Sequence, residues 1–482
     1  MKLRTYVALG ALTLSVGACD GLLDTQPKQS VTPEVVLNNF QAYRNLLASA
    51  YNRLQGFSAY GNVQVVAPEI LSDNGVIAVN SGRYTDLAIN SPGSGAGNGG
   101  GGWSTWYAIV NDANFVLAGI DGLEGAEATK NQYKGEAYFL RALAFHNLAR
   151  IFSYEPGREV NGFNAGIVLR TEPTRDPAGA ATKARSTNVE TYNQIESDLN
   201  AAIAAFSQPG ANSRNVFLAN LAATRALASR VYLYWSKWAQ AEAMATAALG
   251  SSGTEANTSP AVLTTTANHV ASWAREPSAH QESFFEIAIN PSTESQGVNN
   301  AISAYYLLPP NGQWFAVMPS TEFFNLFEAN DVRRQLYPTV SATDLRRNTI
   351  KFSATSGNYA DNVPVIRYSE VLLIRAEARA EQGNLAGALA DVNTLRAARG
   401  AGALGAFAST AAAITAIYDE RRRELGFEGH RWFDLKRRNL PLVKPAAAAV
   451  GTIQPNDFRW LDDIPNDQVQ LSKGTLQQNP GY

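Results

Sequence analysis

Cysteine is all but missing: the 482-residue chain has one, Cys19. A single thiol closes no internal bridge, so a disulfide-stapled secreted scaffold is excluded. Cysteine-based zinc sites, iron–sulfur clusters and Cys-x-x-Cys redox pairs fall to the same count. A basic surplus is missing too. Lys and Arg total 40 against 42 Asp and Glu, a formal charge of −2. Nothing there holds a phosphate backbone, so nucleic acid is not an expected partner. Charged residues reach only 17%, below the roughly 25% of ordinary soluble domains. Histidine is scarce: His146, His269, His280 and His430 show no H-x-x-x-H spacing, so neither a metal nor another cofactor is expected. A P-loop and a G-x-S-x-G nucleophile elbow are both lacking. Gly95 to Gly100 formally fits G-x-G-x-x-G, but a glycine run fits any glycine pattern and no strand leads into it. What the chain does have is aromatic surface: 20 Phe, 19 Tyr and 8 Trp.

Long apolar runs are absent except at the start. Lys2 and Arg4 precede an almost uncharged stretch, Tyr6 to Val16, too short to span a bilayer as a helix. Small residues Gly17 and Ala18 then precede Cys19. This is the layout of an export signal, and residues 1–18 are expected to be removed. Val16-Gly17-Ala18-Cys19 resembles the lipobox of bacterial lipoproteins, in which the cysteine is acylated and becomes the mature N-terminus. Several acyl chains on one cysteine hold a protein firmly at a membrane. The expected body is therefore soluble and tethered by lipid, with Asp20 to Ser30 as the tether.

Helical periodicity dominates the rest. Ala137, Leu140, Ala144, Leu148 and Ile151 form one stripe of a helix over Lys134 to Phe152. Asn215 to Lys237 reads the same way, through Ala223, Leu227, Val231 and Tyr234. Val371 to Gln382 is followed by a Gly383-Asn384 turn and a second helix with Leu385, Leu389, Val392 and Leu395. This pair looks like a tetratricopeptide-type hairpin, and Ala228 to Ser236 with Trp238 to Leu249 is a second copy. The expected fold is all-α, a helical-hairpin scaffold carrying long irregular loops. Those loops are the glycine-rich Asn90 to Gly102 and the Ser-, Thr-, Asn- and Pro-rich Ser251 to Val363.

The densest charge lies in IYDERRRELGFEGHRWFDLKRR, Ile417 to Arg438. Glu424, Glu428 and Asp434 could be taken for the carboxylates of a glycoside hydrolase. The surrounding arginines argue against it. They depress carboxylate pKa values, whereas a general acid needs its pKa raised. A structural ion-pair network joining helices is the expected role.

The same residues resemble the RagB/SusD family, in which a Glu-Arg pair, Glu-Leu, aromatic-Glu-Gly and Arg-Trp-aromatic-Asp-Leu follow one another. Here these are Glu420-Arg421, Glu424-Leu425, Phe427-Glu428-Gly429 and Arg431 to Leu435. Arg367 to Leu373 with Ala376-Glu377-Ala378 resembles the preceding helix of the family, and Asn393, Arg396 and Arg399-Gly400 its Asn-x-x-Arg end. Upstream, Gly135 to Arg150 and Trp106-Tyr107 with Asn114 resemble family helices. Asn479-Pro480-Gly481-Tyr482 resembles its closing segment. The resemblance implies a non-enzymatic lipoprotein on the outer face of the outer membrane. Such a protein binds an oligosaccharide or other nutrient and caps a SusC-like TonB-dependent transporter. It also implies one compact fold from an N-terminal region, 19–250, and a C-terminal region, 251–482. The ligand is left open among polysaccharide, glycoprotein glycan and peptide.

A sugar site needs flat aromatic platforms and a few polar groups aimed at hydroxyls. Trp103 and Trp106, just after the glycine run, are candidates. So are Arg83 and Asn80 upstream, and Tyr305 and Trp314 in the irregular middle. Two rivals stand beside this reading: an interaction scaffold for the transporter with little ligand binding, and the carboxylate hydrolase.

Overall fold

A computed structural model describes residues 37–91, 102–176, 179–250, 261–274, 278–353, 359–448 and 450–482. The expected signal peptide, residues 1–18, the expected lipid-bearing Cys19 and the Gly95 to Gly100 run fall outside them. The longer helices are α1 (Phe40–Leu54), α2 (Val63–Leu71), α3 (Gly102–Gly119), α4 (Glu127–Phe152), α5 (Asn188–Phe206), α6 (Leu221–Tyr234), α7 (Trp238–Leu249), α8 (Tyr368–Glu381), α9 (Leu385–Ala398), α10 (Thr410–Leu425) and α11 (Arg431–Arg437). Consecutive helices pack side by side from α3 to α7. The row continues as α7 lies against α8, and α8 against α9 and α10. This is the hairpin scaffold the periodicity predicts.

Local chemistry sets the helix starts. Asn220 caps α6 by accepting from the Ala223 backbone N–H at 2.9 Å, so the helix begins after Asn220 rather than at the expected Asn215. Thr187 and Glu190 form a capping box on α5. Asn384 caps α9 through the Gly387 N–H at 2.9 Å. The turn before it uses Gly383 at φ +80°, a conformation that costs glycine little. α4 is seven residues longer at its start than the predicted stripe. Close approach fixes α4 against α5: a Cβ on Gly135 would lie 2.7 Å from the buried Phe206 ring.

The all-α expectation holds for the scaffold, and short strands supplement it. β1 (Gly75–Ile77) pairs antiparallel with β3 (Val317–Pro319), Val76 facing Met318. β2 (Ser283–Ile287) pairs antiparallel with β4 (Val363–Arg367), Ser283 facing Arg367. These runs are too short for helical periodicity, and the β-branched and aromatic residues of Ser-Phe-Phe-Glu-Ile and Val-Pro-Val-Ile-Arg suit a buried strand. Strand pairing β1–β3 and helix packing α7–α8 both join residues before 250 to residues after it. Residues 261–274 and 278–353 form mostly irregular chain, with short helices that include Gly297–Asn300 and Ile302–Tyr306.

Candidate functional site

The charged motif forms the centre of the scaffold. Glu424 on α10 is fully buried and accepts from Arg399 Nη2 at 2.8 Å, Arg367 Nη1 at 2.6 Å and Arg333 Nη1 at 3.0 Å. Glu282 on the strand side takes Arg399 Nη2 at 2.7 Å and Arg367 Nη1 at 2.9 Å. Glu428 takes Arg367 Nε at 2.6 Å and also pairs with Lys351. Burial alone would raise these carboxyls. The guanidinium groups of Arg399 and Arg367 outweigh it and hold Glu424 well below the usual carboxylate range. Against the same burial, Arg367 and Lys351 lower Glu428, and Arg421 and Arg437 lower Asp434. Three carboxylates held ionised by fixed cations cannot serve as a general acid. Gly429 closes the motif at φ +82°, where a Cβ would sit 2.0 Å from the Gln64 carbonyl oxygen. Its N–H donates to Glu69 at 2.8 Å, and Arg431 clasps Asp73 at 2.7 and 2.8 Å. The motif thus ties α10 and α11 to α2 and the turn after it.

The predicted ligand residues separate into four places. Arg83, Tyr305 and Trp314 come together. The Arg83 guanidinium lies 4.3 Å from the centre of the Trp314 ring and 5.7 Å from that of Tyr305. Its Nη1 donates to the Tyr305 hydroxyl at 2.9 Å, and Nη2 to Asn299 Oδ1 at 3.0 Å. Trp314 is half-buried and anchored by its indole N–H on the Val298 carbonyl at 2.8 Å. Tyr305 is buried; it donates to the Asn299 carbonyl at 3.2 Å, and its ring leans on Tyr84 at 5.1 Å. Burial pushes its phenol up, against the pull of the Arg83 hydrogen bond. Tyr305 therefore supports Arg83 and exposes little ring face. Asn299 is a member that the aromatic search missed; the Asn299-Asn300 amide pair shortly before Tyr305-Tyr306 was its only signal.

Asn80 is exposed and stands apart. Its Oδ1 accepts from the Gly82 N–H at 3.3 Å, shaping the turn that delivers Arg83. It lines a separate hollow of about 240 Å³ with Ile70, Val76, Ile77 and Ile89. Trp103 edges a larger cleft of about 490 Å³ between α3, residues 168–174 and 180–183, and the helix Asn466–Leu471. Trp103 is 5% exposed and stands edge-on to Phe152 with ring centres 5.0 Å apart. Trp106 has no exposed surface and packs edge-on against Tyr60 at 5.8 Å. It offers no platform in this conformation, because the helical period turns its ring inward. Among the described residues, no group of three or more His, Cys, Asp or Glu could hold a metal ion.

Comparison with known proteins agrees with this architecture. A family model described as "Starch-binding associating with outer membrane" matches residues 23–233, and the SusD family model matches residues 337–482. The chain belongs to the SusD/RagB family. A SusD-like protein of Formosa agariphila is 24% identical over 99% of this chain and 97% of its own length. A crystal structure from Bacteroides vulgatus ATCC 8482 superposes with a TM-score of 0.79 at 26% identity, covering 93% of this chain and 99% of that one. A laminarin-binding SusD-like protein superposes with a TM-score of 0.68 at 23% identity, covering 92% of this chain and all of the other. Carbohydrate binding and association with the outer membrane are thus the family context of the chain. Among the described residues, no helix is long and apolar enough to cross a membrane.

Proposed function

We propose that this chain is a surface lipoprotein, anchored through Cys19, that captures a glycan and delivers it to a SusC-like TonB-dependent transporter. Family membership supports the general role. The observation that carries the ligand site is the Arg83–Trp314 stack with its amide neighbour Asn299. It combines a half-open aromatic ring with hydrogen-bonding groups, which is what sugar hydroxyls and apolar sugar faces require. The cleft beside Trp103 is a subsidiary surface of the same protein, of ligand-like size. The protein binds without chemistry, since its most acid-like cluster is locked in ion pairs.

The test pairs binding with uptake. Purified protein binds a glycan on an array and returns it unchanged by chromatography. In cells, deleting the partner barrel abolishes uptake of that glycan. Cleaved product would refute the non-enzymatic role. Unchanged affinity and uptake for a Trp103→Ala, Trp314→Ala double variant would favour a scaffold that binds only the transporter.

A further inference from the structure

Arginine in this protein is normally answered by a carboxylate. Arg230, Arg333, Arg367, Arg399, Arg431 and Arg437 all sit in short ion pairs. Arg83 is different. Its protein contacts are the Tyr305 hydroxyl, the carbonyl and amide oxygens of Asn299, and the rings of Trp314 and Tyr305. Every one of these is neutral. Among the described residues, no carboxylate lies within ion-pairing distance of it.

The donor geometry adds to the charge. A guanidinium has five N–H groups in a rigid fork. Three hydrogen bonds leave Arg83, all from Nη1 and Nη2. The Nε–H and one Nη2 hydrogen have no acceptor among the described residues. Nε and Nη2 share one edge of the fork, the edge with which a guanidinium grips a carboxylate or sulfate by two parallel bonds. The stack on Trp314 and the bond to Tyr305 hold the fork still, so little side-chain entropy remains to be lost on binding. The cation is half-buried, stacked on a half-exposed Trp314. It is therefore reachable by ligand while partly shielded from water, where a charge-assisted bond gains strength.

We propose that Arg83 recognises an acidic group on the glycan, so that the preferred ligand is an anionic oligosaccharide bearing uronate carboxylates or sulfate esters. This rests on the glycan-binding reading above and narrows it. Trp314 supplies the ring beside which the sugar packs, and the free edge of Arg83 takes the anion.

The experiment uses the full chain in detergent and titration calorimetry. Ligands come in matched pairs that differ only in charge: oligogalacturonate and its methyl ester, alginate oligomers and their carboxyl-reduced form, sulfated and desulfated galactan oligomers. The expected result is one charged member binding at least about tenfold more tightly than its neutral partner, the scale of a charge-assisted hydrogen bond. That preference is lost in Arg83→Gln, partly kept in Arg83→Lys, and weakened by salt. Circular dichroism and the unfolding midpoint of each variant establish that it is folded. Equal binding of charged and neutral partners overturns this inference and leaves glycan capture standing. A charge preference that survives Arg83→Gln overturns it as well. Binding of no glycan in either form overturns both.

Discussion

Arg230 and Glu370 lie 140 positions apart and meet in a buried two-pronged ion pair. Nε donates to one carboxylate oxygen at 2.7 Å and Nη2 to the other at 2.6 Å. Arg230 comes from α6 and Glu370 from the first turn of α8, and neither side chain is more than 2% exposed. The pair is a rivet between helices that belong to different halves of the chain. Removing one partner strands a buried charge, so Glu370→Ala should cost about 3–5 kcal/mol. Urea unfolding followed by circular dichroism measures it. A loss near zero would mean that the pair adds nothing to the join.

Acid should weaken this region in two overlapping stages. Burial lowers His430 to about 4 from its ordinary 6.5, even though Glu370 lies 4.0 Å away and pulls the other way. Between those values the unfolded chain binds a proton that the folded chain refuses, so stability falls as pH drops from 6.5 towards 4. Glu370 follows. Burial raises its carboxyl but Arg230 outweighs burial, leaving a value of about 2 against an ordinary 4.5. Its stabilisation is complete above 4.5 and is lost as pH falls through 2. A series of unfolding midpoints from pH 7.5 to 3 should therefore decline below 6.5, and His430→Asn should flatten the upper part of that decline. An unchanged upper part would remove His430 from the account.

The two tryptophans assigned opposite roles give a clean contrast. Trp106 is wholly buried, so Trp106→Ala leaves a cavity and should cost about 3–5 kcal/mol. Trp314 is half-buried and carries Arg83 on its face, so Trp314→Ala should cost about 1 kcal/mol of stability. Its glycan affinity should fall about tenfold or more, as for an aromatic at the centre of a binding site. Thermal denaturation and calorimetry on the same samples separate the two quantities.

Glu424 discriminates structure from catalysis. Glu424→Gln should lower stability by about 1–3 kcal/mol, because three arginines each lose one charged acceptor while keeping Glu282, Glu428 or Asp331. Incubation of the unaltered protein with glycan should release no reducing sugar. Release that disappears in the Glu424 variant, with folding intact by circular dichroism, would restore the hydrolase reading.

Gly429 should tolerate no side chain. Its φ of +82° and the Gln64 oxygen 2.0 Å from a Cβ both oppose substitution. Gly429→Ala should lower the unfolding midpoint sharply, while Gly383→Ala, where nothing lies within 4 Å, should pay only for its φ of +80°. Equal losses would show that the clash with Gln64 is relieved by a backbone shift.

Much of this was legible in the chain. The stripe through Ala137, Leu140, Ala144, Leu148 and Ile151 marked α4, and Gly383-Asn384 marked the turn between α8 and α9, because helix period and turn chemistry are local. Arginines crowded around Glu424 and Glu428 were enough to set the sign of their pKa shifts. The strands were not legible, since three- and five-residue runs carry too little pattern and their pairing partners lie far away in sequence. Nor was the identity of the riveting pairs: nothing near Arg230 points to Glu370.

The candidate site divides along the same line. The residue types were readable, because only aromatics and multidentate donors suit a sugar. Which of them act together was not. Trp103 and Trp106 are three positions apart on one helix, yet one edges a cleft and the other vanishes into the core. Arg83, Asn299 and Trp314 are more than 200 positions apart at their extremes and still share one stack. Composition and periodicity determine what a segment can become on its own, through forces that act within a few turns of chain. Which side chain keeps a free face is decided by what packs against it, and that neighbour comes from elsewhere in the fold.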